Sequence, residues 1–283
     1  FSEIIEEKDY DSPIFSGSWG VSDEDLFFEA HTLFNKKAKQ GKSFFSLVFT
    51  SSNHSPFEFP DNRIELYEQP KATVANAVKY ADFALGKFIE QAKRSNYWQD
   101  TVFLVIADHS DRVHGAELVP IDKFRIPGLI LNSGLNPKVI NRMCSQIDML
   151  PTLLSLIGID STHPAIGVDL TRSDLKNIPG RAIMQYNDTF AYMEEHNAER
   201  NVIILHEDQP PKEFIYEKSR LVRRHFGDSS LRKRALAHAI WPIITYFEKR
   251  YRLPTPVTTN HTANNFIPPR LVNASDAQKN SKI

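Results

Sequence analysis

Residues 101–115 read TVFLVIADHSDRVHG: a short, β-branched apolar run that ends at Ala107 and passes directly into Asp108-His109. An apolar run with no polar alternation suits a parallel strand covered on both faces. In open α/β sheets ligands gather outside the carboxyl ends of the strands. An ionised carboxylate and a neutral imidazole both ligate Zn²⁺ or Mn²⁺, and as neighbours on a turn they can converge on one ion. The same dipeptide also fits an ordinary strand-end turn, in which Asp bonds its own backbone. Arg112 and His114, just beyond, can contact a phosphate or sulfate through charge-assisted hydrogen bonds, or can be plain surface charges.

Working outward, residues 44–49 (FFSLVF) form a second short apolar run and read as a buried strand. The polar stretch 50–57 (TSSNHSPF) follows it and should open on the same sheet edge. There His54 can bind an anionic oxygen or shuttle a proton, or it can be a solvated loop histidine. Residues 127–131 read as a third strand.

Between these lie helical signals. Ser22 is placed to cap a helix running to about Lys39, with acidic residues in its first turn. Val74, Val78, Ala81, Leu85, Phe88 and Ala92 form an apolar stripe that predicts a helix over 73–94. Asp148 opens an apolar helix through Ile157, stopped by Gly158.

Alternating strands and helices imply a doubly wound α/β domain. Residues 1–18 read as a lead-in, 19–180 as the main domain and 181–254 as a smaller C-terminal β/α subregion. The tail, 255–283, has a composition that reads as disordered.

The chain has 283 residues with 34 basic against 35 acidic, which argues against nucleic acid as its partner. Its one cysteine, Cys144, permits no intrachain disulfide and does not fix the compartment. Neither a secretory signal nor an apolar run of the ~18–20 residues that span a bilayer is present. The start at Phe1 reads as that of a fragment whose targeting elements lie upstream.

Three blocks carry a resemblance: 45–57 (FSLVFTSSNHSPF), 101–115 (TVFLVIADHSDRVHG) and 146–158 (QIDMLPTLLSLIG). In order and spacing they resemble lipoteichoic acid synthase-type phosphoglycerol transferases, sulfatase-like members of the alkaline phosphatase superfamily. Residues 19–30 (WGVSDEDLFFEA) are similar to the helix preceding the first block, and the overall style is closest to Gram-negative envelope proteins. The resemblance implies an alkaline phosphatase-like three-layer α/β/α fold with a mainly parallel sheet, of which this chain is the C-terminal portion. It also implies a divalent metal: Mn²⁺ first, with Mg²⁺, Zn²⁺ or Ca²⁺ as alternatives. Asp108 and His109 match the family's metal-binding pair, and His54 matches the histidine that contacts the transferred phosphoryl group. Asp148 matches a structural helix start.

The implied reaction moves a phosphoglycerol-type head group from an anionic phospholipid to an envelope glycan or glycolipid, through a covalent threonine intermediate. The family's nucleophile, its glutamate ligand and its head-group anchors belong to upstream motifs not found in these residues. The chain alone is therefore expected to be inactive without the upstream half of the same protein. The implied location is the bacterial inner membrane, with the ectodomain facing the periplasm or the cell exterior. Ester hydrolysis, phosphoethanolamine transfer and non-catalytic envelope binding remain alternatives on the same scaffold.

One further segment stands apart. Residues 235–247 (ALAHAIWPIITYF) are flanked on both sides by basic residues. They are too few to span a membrane. They read as a C-terminal helix docked on the domain, with a membrane-surface helix as the alternative.

Overall fold

The computed structural model describes residues 1–110, 113–132 and 134–252. They fall into two compact units, Phe1–Thr101 and Val102–Ile283. Each unit combines helices with sheets, but every strand pair among the described residues is antiparallel.

In the first unit a small ribbon, β1 (Ser16–Gly17) with β2 (Gly20–Val21), leads into α1 (Asp23–Lys39). Ser22 caps α1 as expected, its side chain accepting from the Asp25 amide. The acidic first turn does more than complement the helix dipole. Asp23, Glu24 and Asp25 are all buried, and each gathers a different strip of chain. Asp23 Oδ1 accepts the amides of Ser51 and Ser52, each at 3.0 Å. Asp25 accepts those of Ile14 and Phe15 at 2.8 and 3.2 Å. Glu24 pairs with Arg63 at 2.7 Å and Lys87 at 2.8 Å, which holds its carboxyl down at about 2.

The second helix, α2 (Val74–Lys93), is capped by Thr73. Its buried face is Asn76, Ala77, Tyr80, Ala84, Phe88 and Ala92, rotated from the expected stripe, and Val78 is exposed. Small alanines let α2 lie close to its neighbours while Tyr80 stacks on Phe59 and Phe88 on Phe27. The apolar run 44–49 corrects the expectation of a buried strand. It pairs with no strand among the described residues. Phe34 takes up Phe44, while Phe45, Leu47 and Phe49 stand exposed.

In the second unit β3 (Phe103–Ile106) pairs with β4 (Gly128–Leu131), confirming both apolar runs as strands but in antiparallel register, Phe103 opposite Leu131. The helix α3 (Met149–Leu156) follows Asp148. That carboxylate is buried and held by Arg181 at 2.9 Å and by the amides of Ser145 and Val168 at 2.8 and 2.7 Å. Its role as a structural helix start thus has a physical basis: it ties the start of α3 to the first residue of the next sheet.

That sheet is a five-stranded meander in the order β5-β6-β7-β8-β9: β5 (Arg181–Tyr186), β6 (Thr189–His196), β7 (Glu199–His206), β8 (Gln209–Glu217) and β9 (Arg220–Arg223). Two-residue loops join successive strands. Asn197-Ala198 and Lys218-Ser219 both take positive φ at the two central positions, the twist that suits a tight hairpin. One face buries Ala191, Met193, Val202, Ile204 and Phe214 with Val119 and Ile121. On the other, Tyr192 and Ile203 receive Leu231 and Ala235 of α4 (Ser229–Phe247). The C-terminal helix therefore docks as expected, and it runs through Pro242. The tail 255–283 lies outside the described residues.

Candidate functional site

Strand β3 ends at Ile106, and Asp108 and His109 stand exposed just past its carboxyl end. Gln146 fixes this corner by donating Nε2 to the carbonyls of Ala107 and Asp108, both at 2.8 Å. Asp108 Oδ1 accepts the His109 amide at 2.8 Å, so half of the carboxylate makes the turn bond anticipated for an Asp in that position. His109 Nδ1 lies 2.8 Å from the Ser110 carbonyl. A carbonyl can only accept, which assigns the proton to Nδ1 and leaves the lone pair on Nε2.

The two atoms left over face each other: Asp108 Oδ2 and His109 Nε2 are 3.3 Å apart. Two donors roughly 2.0–2.1 Å from one tetrahedral ion stand about 3.3 Å from each other. The pair therefore fits two adjacent corners of a metal site in both chemistry and spacing. It is not a complete set, because no group of three or more His, Cys, Asp or Glu placed to hold an ion occurs among the described residues. His114 is exposed in the same unit. Arg112, the other expected anion contact, lies outside the described residues.

His54 belongs to the first unit, on the exposed loop after the 44–49 run. Its environment is built rather than merely solvated. The indole of Trp19 lies against the imidazole with ring centroids 3.8 Å apart. His54 Nδ1 is 3.0 Å from the Ser55 carbonyl, and Trp19 Nε1 donates to the same oxygen at 2.7 Å. By the same acceptor argument Nδ1 carries the proton and Nε2 is left for a ligand. Behind the loop, the Ser51 and Ser52 amides are tied to Asp23, so the start of α1 positions this segment.

In sequence, Trp19 stands out only as part of a helix-start block. Its contact with His54 spans 35 positions and had no local signal. The stretches around both histidines fall within one larger match. Residues 1–159 match the sulfatase family model. The chain belongs to the sulfatase family. Over 170 residues it is 28% identical to the lipoteichoic acid synthase of Staphylococcus aureus, a match covering 53% of this chain and 26% of that protein. In structure it resembles an alkaline phosphatase superfamily protein from Vibrio parahaemolyticus, at 44% identity and a TM-score of 0.82, over 90% of this chain and 61% of the other. It also resembles a lipoteichoic acid synthase from Listeria monocytogenes at 21% identity and a TM-score of 0.58, over 88% of this chain and 64% of the other.

These likenesses place the sulfatase-family chain in the α/β fold of the alkaline phosphatase superfamily. They also show that it spans only part of the length of the relatives it matches, about a quarter of the curated synthase.

Proposed function

We propose that this chain supplies part of the site of a metal-dependent transferase that moves a phosphoglycerol-type head group from an anionic phospholipid to an envelope glycan or glycolipid. The observation that carries the reading is the 3.3 Å pairing of Asp108 Oδ2 with His109 Nε2 beyond β3, each group's other polar atom being already engaged. Membership of the sulfatase family and the match to a lipoteichoic acid synthase support it.

In this reading Asp108 and His109 hold a divalent ion, Mn²⁺ first, with a further ligand from residues outside this chain. Such an ion, when bound, neutralises charge on the transferring group and makes a hydroxyl more acidic. His54 works through Nε2. Its Nδ1–H stays on the Ser55 carbonyl, so Nε2 is the nitrogen that exchanges a proton with a phosphoryl oxygen or a leaving alkoxide. Arg112 and His114 contact the head group's phosphate. The nucleophile is a threonine contributed from outside these 283 residues, and the transfer passes through its phosphoryl ester.

The protein acts at the inner membrane with this portion facing the periplasm or cell exterior. No helix among the described residues is long and apolar enough to cross a membrane.

The test uses the full-length protein and a phosphatidylglycerol analogue. Metal-dependent release of glycerol phosphate is expected, lost in Asp108→Ala and in His109→Ala, with no turnover from the 283-residue chain alone. Full activity in Asp108→Ala, or robust activity from this chain by itself, would overturn the assignment.

A further inference from the structure

Helix α4 is apolar on two sides. Its first half docks on the meander through Leu231 and Ala235. Arg232 and Arg234 strap it down, reaching Glu213 at 2.6 Å and Glu194 at 2.7 Å. Farther along, Trp241 Nε1 donates to the Pro164 carbonyl at 3.0 Å. The opposite side carries Leu236, Ile240, Ile243 and Phe247, all exposed, with Phe247 at 74%. Their spacing of four, three and four places them on one stripe of the helix. A docked helix normally presents a polar outer face, and this one does not.

Charge singles out the same surface. The whole chain is balanced, with 34 basic and 35 acidic residues. Between 229 and 252 there are six basic residues against one acidic, Glu248. They sit at both ends of the apolar stripe: Arg232, Lys233 and Arg234 before it, Lys249, Arg250 and Arg252 after it. Lys233 and Lys249 make no ion pair among the described residues. Tyr246 and Tyr251 are also exposed here, side chains whose apolar body and polar tip suit a membrane–water boundary.

We propose that the outer face of α4 is a docking surface for an anionic phospholipid bilayer, on which the helix lies flat. The stripe enters the acyl boundary while Lys233, Lys249 and Arg252, the basic residues of this segment that make no ion pair among the described residues, meet lipid phosphates, the arrangement of an interfacial amphipathic helix. A binding surface of this kind is independent of the transferase reading, since it needs no metal and no turnover. Its consequence is placement: it holds the meander and its unit at a lipid surface.

Flotation of the 283-residue chain with vesicles tests this. Binding is expected to vesicles of phosphatidylcholine and phosphatidylglycerol in equal parts, weakened by salt, and to be at least ~10-fold lower on phosphatidylcholine alone. The double variant Ile243→Glu/Phe247→Glu, both sites being exposed, should keep the circular dichroism of the parent and lose binding by at least ~10-fold. Phe45→Glu, which alters an exposed apolar site in the other unit, should bind as the parent does. Failure to bind mixed vesicles, or equal loss in Phe45→Glu, would overturn the proposal. So would a dimer in sedimentation that the double variant abolishes, because the face would then serve a second copy of the chain.

Discussion

Trp19 and His54 share one acceptor: the indole Nε1–H and the imidazole Nδ1–H both donate to the Ser55 carbonyl oxygen, at 2.7 and 3.0 Å, while their rings lie 3.8 Å apart. The indole packs on the imidazole and holds it against that carbonyl, and the carbonyl sets the tautomer that frees Nε2. Trp19 is a positioning residue in this account, acting through His54.

Replacing Trp19 should therefore alter His54 before it alters the fold. An aromatic contact of this kind contributes about 0.5–1.5 kcal/mol, so Trp19→Ala should shift the His54 tautomer ratio by up to ~10-fold. Nitrogen-15 NMR of the imidazole reads this directly. Trp19→Phe, which retains a ring but not the N–H, should fall between. An unchanged ratio in Trp19→Ala would show that Ser55 alone holds the ring.

Glu24 predicts an acid limit for the first unit. Arg63 and Lys87 hold its folded pKa at about 2, below the 4.5 of an unperturbed glutamate. A group whose pKa is depressed by folding contributes stability above its unfolded value and loses it as pH falls through the folded value. Chemical denaturation should thus show stability declining from about pH 4.5 toward pH 2. In Glu24→Gln the decline over that window should be shallower, and at neutral pH the variant should be weaker by roughly 1–2 kcal/mol, because the lost carboxylate is buried while Arg63 and Lys87 are partly exposed and stay solvated.

Asp148 and Arg181 make the corresponding prediction for the second unit. Both side chains are buried, so Arg181→Ala strands a carboxylate and should cost about 3–5 kcal/mol. Because this pair anchors α3 to β5 and touches no proposed ligand, Arg181→Lys in the full-length protein should lower the melting temperature while leaving the metal dependence of activity unchanged. A changed metal requirement would mean that the pair reaches the site.

Much of this was legible locally. Ser22 announced its helix because a cap acts within three residues, α2 showed in its periodic apolar residues, and β3 with the Asp108-His109 turn showed as an abrupt change from apolar to polar. The 44–49 run misled because an apolar stretch reports a wish for burial and not the presence of a strand to pair with. The stripe on α2 was rotated because the sequence favours large side chains as core, whereas close packing there uses alanines beside Asn76 and Tyr80. The meander was blurred for a different reason. Its tight turns use Ala198, Lys218 and Ser219 at positive φ, where glycine or asparagine is the expected signal. Trp19 on His54 and Arg181 on Asp148 join residues far apart in the chain, and a single sequence carries no sign of such pairs.

The central claim is that Asp108 and His109 are two ligands of one ion, and anomalous diffraction from manganese-soaked crystals of the full-length ectodomain tests it most directly. The account predicts one manganese peak within roughly 2.0–2.2 Å of both Asp108 Oδ2 and His109 Nε2, absent in Asp108→Ala. A manganese peak bound elsewhere, with Asp108 and His109 outside its coordination sphere, would contradict it.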